Sequence, residues 1–178
     1  MRGKPLSSVD TAWWRMDDPA NLMMITAVAV LGAPLDLDRF RATLEQRLGP
    51  FVRFRQRIVE SRLCSGRYNW VEDQSFALDE HVRRIALAPP GGQAALQDVV
   101  SELASTALDP ARPLWQVLVV ENYSEGGALI FRFHHCRGDG FAMIHVLLSL
   151  TDADPETSLP VAEPQEPRRR SLPGGLLH

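Results

Sequence analysis

Two apolar runs dominate the C-terminal half of the chain. WQVLVV occupies 115–120 and ALIFRFHH occupies 128–135, with the turn residues NYSEGG between them. Both runs are rich in β-branched and aromatic residues, and the spacing predicts a β-hairpin.

Further strands and helices are readable. MMITAVAVL, at 23–31, is short, apolar and partly β-branched, and reads as a buried strand. Asp36 is placed to cap a helix with Leu37, Phe40, Leu44 and Leu48 on one face, ended by Gly49-Pro50. FVRFRQRIVE, at 51–60, alternates imperfectly and reads as a strand, and RYNWVED and FALDEHVRRIAL read as short extended pieces. After a break at Pro89-Pro90-Gly91-Gly92, residues 93–108 carry Leu96, Val99, Val100 and Leu103 at helical spacing. Beyond the hairpin, Gly140 permits a sharp turn into FAMIHVLLSL, with Phe141, Ile144, Leu147 and Leu148 expected to face a core. From 152 onward the chain turns to proline and charge, as in a linker or tail. The pattern predicts an α/β (α+β) domain over 1–152 followed by a tail at 153–178.

Composition excludes several function classes. The 178 residues carry a net charge of −3, so nothing in the overall balance points to nucleic acid. The run Arg168-Arg169-Arg170 is short, lies among prolines, and reads as solvated. The apolar stretch 22–35 falls short of the ~20 residues that span a bilayer, so any membrane association is expected to be peripheral. Two cysteines, Cys64 and Cys136, make no disulfide framework, and a reducing, cytoplasmic location is expected.

The chemistry concentrates at FRFHHCRGDGF, 131–141. Successive strand side chains point to opposite faces, so His134 and His135 are expected to have different tasks, one facing the reacting groups and one bracing the strand. A histidine at the end of an apolar strand can be held neutral and ready to accept a proton near pH 7. Asp139 can hold an imidazole in one tautomer or fix the loop through an arginine. Satisfied core or surface histidines are the plainer alternative. A metal site from His134 or His135, Cys136 and Asp139 is disfavoured, because the spacing matches no ligand set. A Cys136 nucleophile is disfavoured for want of an activating pattern.

HHCRGDG matches the His-His-x-x-x-Asp-Gly motif of the CoA-dependent acyltransferase superfamily, which includes chloramphenicol acetyltransferase, carnitine acyltransferases and condensation domains. PLSSVDTAWWRMDDPAN, FRQRIVE, YNWVEDQSFALDEHVRRIALAPPGG, LDPARPLWQVLVVE and FRFHHCRGDGFAMIHVLLSLTD together closely resemble the bacterial wax ester synthase/diacylglycerol acyltransferase family. The resemblance runs from Pro5 to about Asp152.

It implies a chloramphenicol-acetyltransferase-like half-domain, a mixed sheet with flanking helices. It implies an O-acyltransferase that moves a long-chain acyl group from acyl-CoA to diacylglycerol or to a fatty alcohol, with His135 as general base. By the same carry-over His134 is a supporting residue, Asp139 braces the loop and Gly140 makes the turn. Pro113, Leu114 and Trp115 correspond to the family's Pro-Leu-Trp element and either line the site or pack the core. No metal and no cofactor are implied, with acyl-CoA as co-substrate. The other implied partners are the acceptor lipid, a C-terminal acyltransferase half that these residues do not contain, and the surface of the inner membrane or of a lipid droplet. Arg137 departs from the motif's usual apolar or aromatic residue and is expected either exposed on the turn or drawn to Asp139. A catalytically silent lipid-binding or partner-dependent half-domain is the alternative function.

Overall fold

A computed structural model of the chain describes residues 3–138 and 140–151. Asp139, the tail from 152 and the arginine run at 168–170 lie outside the described residues.

The chain opens with a two-residue strand, β1 (Lys4–Pro5), and a helix, α1 (Ser8–Met16). Ser7 caps the helix by accepting the Asp10 N–H at 3.0 Å. Strand β2 (Met24–Val30) follows, then α2 (Leu37–Leu48). Asp36 Oδ1 accepts the Arg39 N–H at 3.0 Å, so the expected cap is present.

Val52–Arg55 forms a 3-10 turn before β3 (Gln56–Glu60), where a continuous strand was expected. The turn's three-residue period puts Phe51 and Phe54 on one side, with ring centroids 6.3 Å apart. An extended segment would have split them between two faces if offset by an odd number. β4 (Tyr68–Glu72) pairs antiparallel with β3 and, on its other edge, with β1. FALDEHVRRIAL divides into a single-turn helix, α3 (Leu78–His81), and β5 (Val82–Ile85). Asp79 and Glu80 lie at the start of α3, where acidic residues are favoured, and His81 closes it as a buried residue. After α4 (Gln93–Ala104) come the hairpin strands β6 (Trp115–Val120) and β7 (Ala128–His134). Gly127 closes their turn at φ +88°, a backbone conformation L side chains rarely adopt. Last is α5 (Gly140–Ser149).

The hairpin is the centre of a four-stranded sheet in the order β2-β7-β6-β5. β2 runs antiparallel to β7, with Met24 opposite His134, and β5 runs parallel to β6. All seven residues of β7 are buried, because both faces of the hairpin are covered. On one face Trp115, Val117, Val119, Leu129, Phe131 and Phe133 pack with Phe40, Leu44 and Leu48 of α2 and Met143 and Val146 of α5. On the other, Leu118, Val120, Ala128 and Ile130 pack with Leu87 and Leu96. A third cluster, Ile58, Trp70, Leu114 and Cys136, joins the small sheet to the end of the hairpin.

Helix α5 docks by a face only partly the one expected. Leu147 packs against the core as expected and Met143 and Val146 are buried, whereas Ile144 and Leu148 are 52% and 56% exposed. The side chain of Phe141 lies outside the described residues. The outward pair borders an apolar groove of about 470 Å³ with Val28 and Ala29 of the edge strand β2.

Candidate active site

The histidine pair sits where β7 ends, and the two rings are held differently. His134 is the last strand residue. Its N–H donates to the Leu114 carbonyl at 3.2 Å, and its side chain is on the same face as Ile130 and Arg132, 2% exposed. Its Nδ1 accepts the Cys136 backbone N–H at 3.1 Å and so caps the turn that follows. A nitrogen that accepts carries no proton. The neutral ring therefore bears its proton on Nε2, which faces the Asp17 carboxylate oxygen Oδ1 at 3.4 Å, off ideal hydrogen-bond geometry. Burial pulls the His134 imidazole below its ordinary value, and the Asp17 carboxylate partly opposes this.

His135 has already left the strand. It begins a 3-10 turn, His135–Arg137, so the strict alternation of faces expected for the pair stops one residue early. Its N–H donates to the Met23 carbonyl at 2.8 Å. Its ring stacks on Trp13 of α1, with centroids 4.5 Å apart and planes 18° from parallel. Nδ1 is buried with no hydrogen-bond partner among the described residues, although the side chain as a whole is only half-buried.

The next two positions fasten the turn from beneath. Cys136 is fully buried, and burial pushes its thiol up to about 12, so it holds its proton and stays inert. Arg137 is buried at 7% exposure, against the first of its two expected placements, exposed on the turn, while the other, drawn to Asp139, lies outside the described residues. Its guanidinium donates to the Arg53 and Gln56 carbonyls and lies over the Phe54 ring at 5.0 Å. Loss of water lowers it to about 9, which leaves it charged at neutral pH. Arg53, in turn, pairs with Asp10 at 3.0 Å and covers Trp70 at 4.4 Å. The turn is thus stitched to α1 and to the small sheet at once. Gly140 opens α5 just beyond it.

Pro113, Leu114 and Trp115 are all buried. Trp115 is a core residue: its Nε1–H donates to the Phe54 carbonyl at 2.8 Å and its ring stacks on His81 at 4.6 Å. His81 Nδ1 donates to the Trp115 carbonyl at 2.8 Å, and burial lowers its pKa. Leu114 does two things, packing against Cys136 and lining a cavity of about 460 Å³ with His134, Trp14, Asp17, Met24 and Tyr68.

The structure therefore gathers His134, His135 and Leu114 at one place, and adds Trp13, Trp14 and Asp17, which the reading of the sequence had not singled out. Their signal was present in part: Ser7-x-x-Asp10 is a helix-start pattern that would have put both tryptophans on a helix. Among the described residues, no group of three His, Cys, Asp or Glu is arranged to hold a metal ion.

A mixed sheet covered on both faces, with a histidine pair at the mouth of its central hairpin, defines the chloramphenicol-acetyltransferase-like class. The starter condensation domain of rhizomide synthetase RzmA shares this fold, with a TM-score of 0.67 over 84% of this chain and 38% of that one at 18% identity. The wax ester synthase/diacylglycerol acyltransferase of Marinobacter aquaeolei VT8 gives 0.67 as well, at 29% identity, over 82% of this chain and 36% of that one. Among curated proteins, the "Probable diacylglycerol O-acyltransferase tgs1" of Mycobacterium tuberculosis is 36% identical over 151 residues, 83% of this chain and 33% of that protein. The protein named tgs3 of the same organism is 32% identical over 157 residues, 84% of this chain and 58% of that one. The wax ester synthase/diacylglycerol acyltransferase catalytic domain matches residues 6–176, and the chain belongs to that family. It spans about a third of the length of the first relatives it matches.

Proposed function

We propose that this chain is the histidine-bearing part of an O-acyltransferase that moves a long-chain acyl group from acyl-CoA to diacylglycerol or a fatty alcohol. His135 is its general base. The observation that carries this is the unequal state of the two imidazoles. His134 is 2% exposed, with Nδ1 taken by a backbone N–H and Nε2 turned to a carboxylate, so it has no free face for a substrate proton. His135 is half-buried on a turn, with its ring plane fixed by Trp13.

Since Nδ1 of His135 is buried, the acceptor's hydroxyl meets the ring at Nε2. Nε2 takes the hydroxyl proton as the oxygen attacks the thioester carbonyl. The C–S bond then breaks, and the CoA sulfur leaves with the proton from the imidazolium as the free thiol. No covalent enzyme intermediate and no cofactor enter this scheme. Asp139 braces the loop by family resemblance. No helix among the described residues is long and apolar enough to cross a membrane, and the acceptor lipid is taken from the surface of a membrane or droplet. A C-terminal acyltransferase half supplies the facing wall.

The test is acyl transfer from palmitoyl-CoA to diacylglycerol or hexadecanol, measured with and without a complementing C-terminal half. His135→Ala in the complemented enzyme is expected to lower kcat by about 10²–10⁴-fold, roughly 3–5 kcal/mol of barrier, with acyl-CoA binding little changed. A His135→Ala enzyme that keeps its kcat would remove the assignment.

A further inference from the structure

One carboxylate oxygen, Asp17 Oδ1, makes two contacts that converge on the histidine turn. It accepts the Met23 N–H at 2.7 Å, and it faces His134 Nε2 at 3.4 Å. Each contact is the start of a short route to His135. Along the first, the peptide of Met23 continues to its carbonyl, which receives the His135 N–H at 2.8 Å. Along the second, the His134 ring passes from Nε2 to Nδ1, which holds the Cys136 N–H at 3.1 Å and so caps the turn on which His135 lies.

The site of this carboxylate is not one that local electrostatics favours. Asp17 is the C-cap of α1, where the partial negative charge of the helix end disfavours an anion. A cap needing only an acceptor for the Met23 N–H would be served by a neutral amide oxygen. A carboxylate holds the Nε2 proton of His134 more strongly than an amide oxygen, and unlike an amide it cannot flip to present a donor, so it reinforces the tautomer in which Nδ1 accepts the Cys136 N–H.

We propose that Asp17 is a positioning residue: through its carboxylate it fixes the tautomer of His134, and through His134 and Met23 it fixes the turn that presents His135. The proposal rests on His135 as the base, and deepens that reading. It assigns His134 the role of a spacer between a fixed charge and a backbone N–H, which accounts for a nearly fully buried imidazole beside a catalytic one.

The test separates the two claims. Nitrogen-15 spectra of histidine-labelled 178-residue chain, with no substrate present, report the tautomer of His134 whether or not His135 is a base. The expected signature is a protonated Nε2 and a bare Nδ1. Asp17→Asn keeps an oxygen for the Met23 N–H but removes the charge. It is expected to retain the fold by circular dichroism, to shift His134 to a mixed-tautomer signature, and to lower kcat in the complemented enzyme about tenfold with the KM for acyl-CoA unchanged. Asp17→Glu is expected to restore the tautomer and part of kcat. A His134 ring protonated on Nδ1 in the wild type overturns the proposal, as does an Asp17→Asn chain with unaltered His134 signals. A changed tautomer with unchanged kcat overturns it too. Loss of the base assignment would instead appear as an active His135→Ala enzyme with the Asp17-dependent tautomer still present.

Discussion

Arg137 is a charged group placed where a turn residue would ordinarily meet water. Its guanidinium reaches the Arg53 and Gln56 carbonyls from a site that is 7% exposed. Arg137→Met keeps much of the stem and leaves those acceptors unpaired. It is expected to cost about 2–3 kcal/mol in urea unfolding, and to lower kcat as well, because the anchored turn carries His135. Two buried imidazoles, on different parts of the fold, make it sensitive to acid. His81 and His134 are both held below the ordinary 6.5, first by burial. The unfolded chain takes up protons at these positions before the folded chain does. Their contribution to stability is therefore complete above about pH 6.5 and is lost as pH falls through each folded value. The urea midpoint should be level between pH 7 and 8 and decline below 6.5, less steeply in His81→Phe. The thiols give a simpler check. Cys64 is exposed and Cys136 buried with a high pKa, so a disulfide reagent should titrate one thiol in the native chain and two in guanidinium. Rapid native labelling of both would contradict the packing of the turn.

Helix α2 and the β6–β7 hairpin were legible in the sequence because each is specified locally, by Asp36 with its apolar face and by two runs around a glycine turn. Leu44 of α2 is fully buried against the hairpin. Leu44→Ala should cost about 3 kcal/mol, within the 2–5 kcal/mol of such truncations, read from denaturant midpoints. What was not legible is what other elements decide. The 3-10 turn at Val52–Arg55 exists because Phe54 has to reach Trp115 and Phe133. The rotation of α5 follows from Met143 and Val146 facing the sheet, although its four-residue spacing of isoleucine and leucine fits a buried stripe equally well. At the site, both histidines could be picked out by motif, but Asp17 and Trp13 could not. They meet the histidines across more than a hundred residues of chain, and no spacing rule reaches that far. An arginine in a turn is assigned to solvent by default, and only the carbonyls of Arg53 and Gln56 make Arg137 an interior residue.

At the scale of the whole molecule, apolar surface is left open on one side. Val28 and Val30 on the edge strand are 43% and 59% exposed, and Ile144 and Leu148 of α5 a little over half. With the groove between them they form a patch of the kind that marks an interaction surface. The 178-residue chain is expected to bind a hydrophobic dye, and Ile144→Glu with Leu148→Glu to abolish most of that signal while shifting stability by less than about 0.5 kcal/mol each. Unchanged dye fluorescence in the double variant would place the open surface elsewhere. The pairing of β2 with β7 has a different consequence, one of timing. Met24 lies opposite His134, about 110 residues later in the chain, and the Met23 carbonyl holds His135. On a ribosome adding roughly 5–20 residues per second, α1 and β2 wait on the order of 5–20 s for their partner strand to be made. Stalled nascent chains ending before β7 should accordingly leave β2 open to protease, while chains extended well past α5 protect it. The histidine turn is then assembled by an earlier-made segment closing on a much younger one.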